Sequence, residues 1–453
     1  MKFKMCILPI SLAFMGAVQA STLIELYNEG VSSSLQLRAD RSTYMADLEV
    51  EEQAFSRLLP ELQLSANTRY SSQDQQLQER NLFMNVEHQK SASDSTEYEL
   101  GLSQTLFDLP AYYSFKAGKT YSQQAVINLN KAVSDYTKKF LVAYIEVSQA
   151  REKLQFIMDT SSAYEQQASI INNRYAVGLV KISDVKDSES QKLKVQADEV
   201  IARNDLKVAF DRLSLITQTD IQEIAVHSGE IPVLHKAAQS ISDLEEKYKN
   251  NYDFKLADLE LKRVRQNWKA TRSGHLPTIK SRLSYSKSSN DSTYNFQYSD
   301  KVDRQGWNVG VYLEVPLYSG GRTNSSVNEA QLVVKKARYL KQLTELEVKQ
   351  EIVKTHNTID ATHRSILARA QAVEAVELAL INAEDEYFNG VGPFSRVLDN
   401  RARLMSEKIS LIQEKYEYIR LYILLKEVSG ELSTGEVERF NRVLSGSFIS
   451  REV

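Results

Sequence analysis

The chain has 453 residues, 25% of them charged, a formal net charge of -3 and a mean hydropathy of -0.39. That length accommodates two or three ordinary domains and that polarity predicts a largely solvated chain. The balance of 56 basic against 59 acidic residues leaves no footprint for nucleic acid, and no Walker, Rossmann, G-x-S-x-G or metal-ligand pattern marks an active site. The expectation is a protein without catalytic activity, cofactor or metal.

The first element in chain order is a signal peptide over 1–20. Lys2 and Lys4 precede the apolar run 5–15, and Val18-Gln-Ala20 supplies the small residues of a cleavage site. Cleavage would start the mature chain at Ser21 and remove Cys6, the only cysteine. It would also remove two lysines, taking the charge from -3 to -5. No later apolar stretch approaches the roughly 20 residues of a membrane-crossing helix. A mature chain that meets a membrane must therefore do so with strands.

The rest of the chain reads as a duplication, with a first repeat over 21–219, a linker over 220–241, a second repeat over 242–430 and a tail over 431–453. Leu58-Leu-Pro-Glu-Leu62 is answered by His275-Leu-Pro-Thr-Ile279, and Leu106-Phe-Asp108 by Leu317-Tyr-Ser319. Tyr175-Ala-Val-Gly178 is answered by Tyr387-Phe-Asn-Gly390, an offset of 212 positions from 175 to 387. Each repeat predicts a helix, a strand pair, a long helix and a short helix. The strand pairs are 61–71 with 97–107 and 278–287 with 306–318, where apolar and polar residues alternate with period two. The strongest is the last, in which Trp307, Val309, Val311, Leu313 and Val315 share one face opposite Asn308, Gly310, Tyr312 and Glu314. The polar stretches 71–97 and 287–306 read as loops between paired strands.

Long helices are predicted over 111–176 and 320–389, each roughly 100 Å at about 1.5 Å per residue. Both carry a heptad stripe: Ile352, Ile359, Ile366, Val373 and Leu380 lead to Tyr387, and Val126, Val133, Phe140, Val147 and Leu154 lead through Ser161 and Ala168 to Tyr175. The shorter helices, 22–59, 181–217, 242–274 and 393–430, are about half as long, so a stacked pair matches one long helix. The fold class is mainly α with a small β part, internally duplicated, the helices forming a coiled-coil wall continued by four strands. Four strands cannot close a membrane barrel, since the smallest single-chain barrels have about eight; several protomers must share one. Phe107, Tyr112, Tyr113 and Tyr318, at the strand ends, suit the headgroup layer.

These segments together resemble the TolC-like outer-membrane efflux proteins. The resemblance runs from about Thr22 to Gly430 and rests on Ser56-Arg-Leu-Leu-Pro60, Arg174-Tyr-Ala-Val-Gly-Leu-Val180 followed by Ser183-Asp-Val185, Gly274-His-Leu-Pro277, and Val315-Pro-Leu-Tyr-Ser-Gly-Gly321. It implies a homotrimer with a shared twelve-stranded outer-membrane β-barrel and a periplasmic helical tunnel. It also implies a closed inner end, opened when a periplasmic adaptor and an inner-membrane pump or ABC-type type I secretion transporter dock. Cargo would be small toxic compounds or secreted polypeptides.

At the closed end, the resemblance assigns Tyr387 and Asp184 as a linking pair and Asp399 as the inner ring of acids. Two positions depart from it: Gly392 stands where a linking arginine is expected, and Arg396 stands where an outer ring of aspartates is expected. Val177-Gly178-Leu179 and Asn389-Gly390-Val391 match the adaptor-docking turns, the first closely and the second loosely. Several of these residues also fit a plainer structural role. Arg396 and Asp399, three apart, fit a solvated surface pair; Tyr175 and Tyr387 fit seam packing; Gly178 and Gly390 fit helix reversals. His356 and His363, seven apart without companions, fit seam or solvated positions. A periplasmic coiled-coil protein or adhesin without a pore is the alternative to a channel, and four lipid-type strands in two matched pairs weigh against it.

Overall fold

The chain was analysed as a computed structural model, which describes residues 22–75, 89–221, 223–226, 246–294, 298–444 and 447–450. Residues 1–20, read as a signal peptide, and most of 220–241, read as a linker, lie outside the described residues. Among the described residues no helix is long and apolar enough to cross a membrane.

The elements run α1 (Leu23–Ser33), α2 (Leu35–Ser56), β1 (Glu61–Gln75), β2 (Gln89–Phe107), α3 (Leu109–Ala176), α4 (Ile182–Thr217) and β3 (Glu223–Val226). Then come α5 (Tyr252–Ser273), β4 (Thr278–Tyr294), β5 (Tyr298–Glu314), α6 (Arg322–Phe388), α7 (Phe394–Val428), α8 (Thr434–Leu444) and β6 (Ser447–Ser450). The order helix, strand, strand, long helix, short helix occurs twice, with long helices of 68 and 67 residues and short ones of 36 and 35.

One compact unit comprises 42–128 and 255–344. Its centre is a four-stranded antiparallel sheet in the order β1-β2-β4-β5, so β1 and β5 are each paired along one side only. The register puts Leu62, Leu102, Leu283 and Val309 in one row and Leu64, Leu100, Tyr285 and Trp307 in the next. Side chains in alternate rows share a face, so these rows and Phe107-Ile279-Leu313 form an apolar band. The band ends at Ala66-Tyr98-Lys287-Gln305, beyond which the rows are polar. Helices α2 and α3 close together at Gly118, where an added Cβ would lie 3.0 Å from the Ala54 Cβ. Leu261 and Val264 of α5 bury against Val334 and Ala337 of α6.

The strands are longer than alternation alone predicts. β1 reaches Gln75, β2 starts at Gln89, β4 reaches Tyr294 and β5 starts at Tyr298, so much of 71–97 and 287–306, read as loops, is paired strand. Both faces are polar there and carry no alternation, yet the ladder bonds are made by backbone, and the abundant Ser and Thr tolerate it. At the other end β5 stops at Glu314, ahead of Pro316, which has no N–H to donate; Leu317 and Tyr318 lie beyond the strand and are exposed.

The other unit takes the described residues within 22–41, 129–254 and 345–450. α1 begins with a capping box: the Thr22 N–H donates to Glu25 Oε2 at 2.8 Å, and the Glu25 N–H to Thr22 Oγ1 at 3.4 Å. A break at Ser34 divides the region 22–59, read as one helix, into α1 and α2. Leu23 and Tyr27 of α1 are buried in a core that includes Phe140, Phe210, Ile352 and Ile419. Near the C-terminus, Phe440 of α8 meets the Tyr422 ring at 5.9 Å and Arg439 donates to its hydroxyl at 2.8 Å. β3 and β6 pair as a two-stranded sheet.

The α6 stripe is buried at Ile352, Ile359, Val373, Leu380 and Tyr387, with Ile366 packed against it. His356 is buried within this helix and the His363 ring lies 5.9 Å from Tyr418. The α3 stripe behaves differently. Phe140, Val147, Leu154 and Ala168 are buried, but Val126 and Tyr175, at its two ends, are exposed. A heptad has two apolar rows, and in α3 the second, Tyr136, Ala143, Ile157, Tyr164 and Ile171, is buried beside the first. The two tyrosines are therefore equivalent in sequence and unlike in burial.

Candidate gate and docking turns

The contacts of the two helix-end turns lie within the unit that holds 129–254 and 345–453. α3 ends at Ala176 and α6 at Phe388, each in the same kind of turn. In the first, the Leu179 N–H donates to the Arg174 carbonyl at 2.9 Å and the Gly178 N–H to that of Tyr175 at 2.9 Å. In the second, Val391 donates to Glu386 at 2.8 Å and Gly390 to Tyr387 at 3.1 Å. Gly178 and Gly390 have φ of +78° and +76°. This is the Schellman termination, in which glycine takes the left-handed position that a Cβ disfavours. Apolar residues in such turns often fold back on the helix. Here Val177, Leu179 and Val391 stay 70, 67 and 81% exposed, so each tip presents bare apolar side chains, with Asn389 also exposed.

The structure brings Tyr387 and Asp184 together. Tyr387 is buried at the end of its stripe, its ring 5.0 Å from Phe394 and 5.7 Å from Phe388. Its hydroxyl is enclosed without a hydrogen bond of ordinary geometry. Burial, and then the nearby Asp184 carboxylate, raise the phenol above its ordinary pKa, while Arg174 opposes them. Asp184 lies in the first turn of α4, where the helix N-terminus favours a carboxylate. Arg174 stacks over the rings of Tyr387 at 5.6 Å and Phe388 at 5.2 Å.

Arg396 and Asp399 lie near the start of α7, both exposed. Arg396 turns toward Glu386, donating from Nη1 to Oε2 at 2.6 Å, rather than toward Asp399. Gly392 sits in the turn, its N–H donating to the Glu386 carbonyl at 3.1 Å. A short way along, Arg401 pairs with Glu384.

Sequence reading passed over Arg174, Glu386, Phe388 and Phe394 as contact residues. Arg174 stands inside the quoted Arg174-Tyr-Ala-Val-Gly motif and the others flank Tyr387, so a search for aromatic and charged neighbours of the stripe end would have found them. The strand residues Trp307, Val309, Val311 and Leu313 are 64–81% exposed and Val315, just past β5, is 46% exposed. Trp307 and Tyr285 rings lie 5.0 Å apart at the band's edge. On the opposite face Arg282 bonds Glu99 at 2.8 Å.

Comparison with known proteins agrees with this architecture at each level. The sequence profile of the family described as "Outer membrane efflux protein" matches residues 26–217 and 244–431, one stretch in each repeat. The chain is 28% identical to outer membrane protein TolC of Vibrio cholerae over 428 residues, 94% of each chain. It is 25% identical to the proteases secretion protein PrtF of Dickeya chrysanthemi over 460 residues, covering 96% of this chain and 93% of that one. Among solved structures, the outer membrane protein VceC of Vibrio cholerae superposes with a TM-score of 0.73 at 16% identity, over 90% of this chain and 96% of that one. With the profile matched across most of its length, the chain belongs to the outer membrane efflux protein family.

Proposed function

We propose that this protein is the outer-membrane channel of a tripartite efflux or type I secretion system. The observation that carries this function is the open sheet: four long strands with one exposed apolar band, two unpaired edges and direct continuation into helices of about 100 Å. An open edge and a bare apolar face are both liabilities in water. Pairing β5 of one copy with β1 of the next removes the edges, and lipid covers the band. Three copies supply twelve strands, above the minimum of about eight. Trp307, Val309, Val311, Leu313 and Val315 then face lipid, and Trp307, Tyr285 and Tyr98 form the aromatic girdle.

The α3–α4 and α6–α7 turns form the periplasmic end. Their exposed Val177, Leu179 and Val391 suit docking to a periplasmic adaptor, with an inner-membrane pump or ABC-type transporter supplying the energy. Tyr387, Asp184 and Arg174 hold the closed state, and Arg396 and Asp399 line the constriction, with Gly392 in the adjoining turn. Kinship to PrtF supports polypeptide cargo and kinship to TolC supports a general export duct. Comparing drug susceptibility and the secreted protein profile of a deletion strain, with and without the gene restored, tests this. Loss of either, recovered on restoration, is expected; no change in both would contradict export. A pore-free adhesin has no use for the apolar band.

A further inference from the structure

The two turns carry the same pair of positions with the charges exchanged. Arg174 and Asp184 of the first correspond to Glu386 and Arg396 of the second, 212 positions later in both cases. In the first turn the pair is divided, with Arg174 over the Tyr387 and Phe388 rings and Asp184 beside the Tyr387 hydroxyl. In the second it is closed, with Arg396 bonded to Glu386 at 2.6 Å. Gly392 makes room for this closure: a Cβ there would lie 3.1 Å from the Glu386 Cβ and 3.3 Å from its Oε2. The two departures from the family pattern, Gly392 and Arg396, therefore meet at one carboxylate.

We propose that Glu386 is a selectivity-determining residue, neutralising Arg396 within its own protomer so that the sign of the constriction is set by Asp399. This rests on the placement of Arg396 and Asp399 at the constriction. Three unmatched arginines would give a positive ring that repels cations. Matched one to one by Glu386, they leave a ring of dipoles without net charge. The exposed Asp399 carboxylates then give the closed end a cation preference. Gly392 is a positioning residue in this arrangement, keeping Glu386 within reach of Arg396.

The test is the reversal potential of the purified full chain in planar bilayers under a potassium chloride gradient. Wild type is expected to prefer cations. Glu386→Gln should lower the cation-to-anion permeability ratio several-fold, Arg396→Gln should raise it, and the double variant should return it near wild type. Loosening of the turn alone would change conductance without these opposed shifts. An anion-selective wild type, or an Asp399→Asn variant that moves the reversal potential while Glu386→Gln does not, overturns the pairing alone. If Asp399→Asn, Arg396→Gln and Glu386→Gln all leave it unmoved, the constriction placement fails and the proposal with it.

Discussion

The Arg174 guanidinium lies 5.6 Å from the centre of the Tyr387 ring and 5.2 Å from that of Phe388, tying the last turn of α3 to the last turn of α6. The Tyr387 hydroxyl is enclosed beside the Asp184 carboxylate and makes no hydrogen bond of ordinary geometry. Ring contacts, rather than the hydroxyl, hold this corner.

Arg174→Ala should consequently shift the closed-to-open balance toward open by about 1 kcal/mol, roughly fivefold, with Arg174→Lys recovering part of it. Tyr387→Ala should open the channel further, whereas Tyr387→Phe should change open probability little. Single-channel open times measure all three, and a larger effect from Tyr387→Phe than from Arg174→Ala would refute the primacy of the ring contacts.

The same corner predicts an alkaline transition. The folded pKa of the Tyr387 phenol is raised by burial first and Asp184 second, above the ordinary value of about 10. The neutral phenol's contribution to stability is then complete below about pH 10 and is lost as pH rises through the folded value. Tyrosinate absorbance of wild type minus that of Tyr387→Phe isolates this group. Asp184→Asn should lower its midpoint and Arg174→Ala should raise it; the opposite order would show that these charges act elsewhere.

At the tips, conformation and docking can be separated. Gly178→Ala or Gly390→Ala meets nothing within 4 Å, but each forces an L-residue into the left-handed region at about 1–2 kcal/mol, so a modest loss of thermal stability is expected. Val177→Asp, Leu179→Asp or Val391→Asp touches exposed side chains and should leave stability within about 0.5 kcal/mol while reducing export. Complementation of a deletion strain, read beside melting curves, distinguishes the two; full export by all three aspartate variants would remove these turns from docking.

The sheet offers a face-specific test. Val309→Lys places a charge in the apolar band and should cost about 2–4 kcal/mol near the bilayer midplane, seen as lost assembly on heat-modifiability gels. Asn308→Lys, one residue away on the polar face, should assemble normally. Equal effects would mean that the apolar face is not the lipid face.

Much of this architecture was legible because periodicity and burial coincide. The α6 stripe from Ile352 to Tyr387 is buried as its seven-residue spacing requires, and the alternation of Trp307 to Leu313 marks a real strand face. Legibility failed where one pattern had two physical solutions. Tyr175 ends the same kind of stripe as Tyr387 but is exposed, while the second row of α3 stays buried as far as Ile171. Serine-rich strand extensions carry no face contrast, so backbone pairing through Asp94 and Asp291 could not be read from side-chain character. Glu386 was invisible as a partner of Arg396 because the turn that brings them together is a property of backbone, set by Gly390 and Gly392.

Conductance tests the central claim most directly. Purified protein in a planar bilayer should give discrete ion-conducting steps, small in wild type and longer-lived in Arg174→Ala and Tyr387→Ala. A bilayer that stays silent with wild type and with both variants, although each assembles, would contradict the assignment of this chain as a duct.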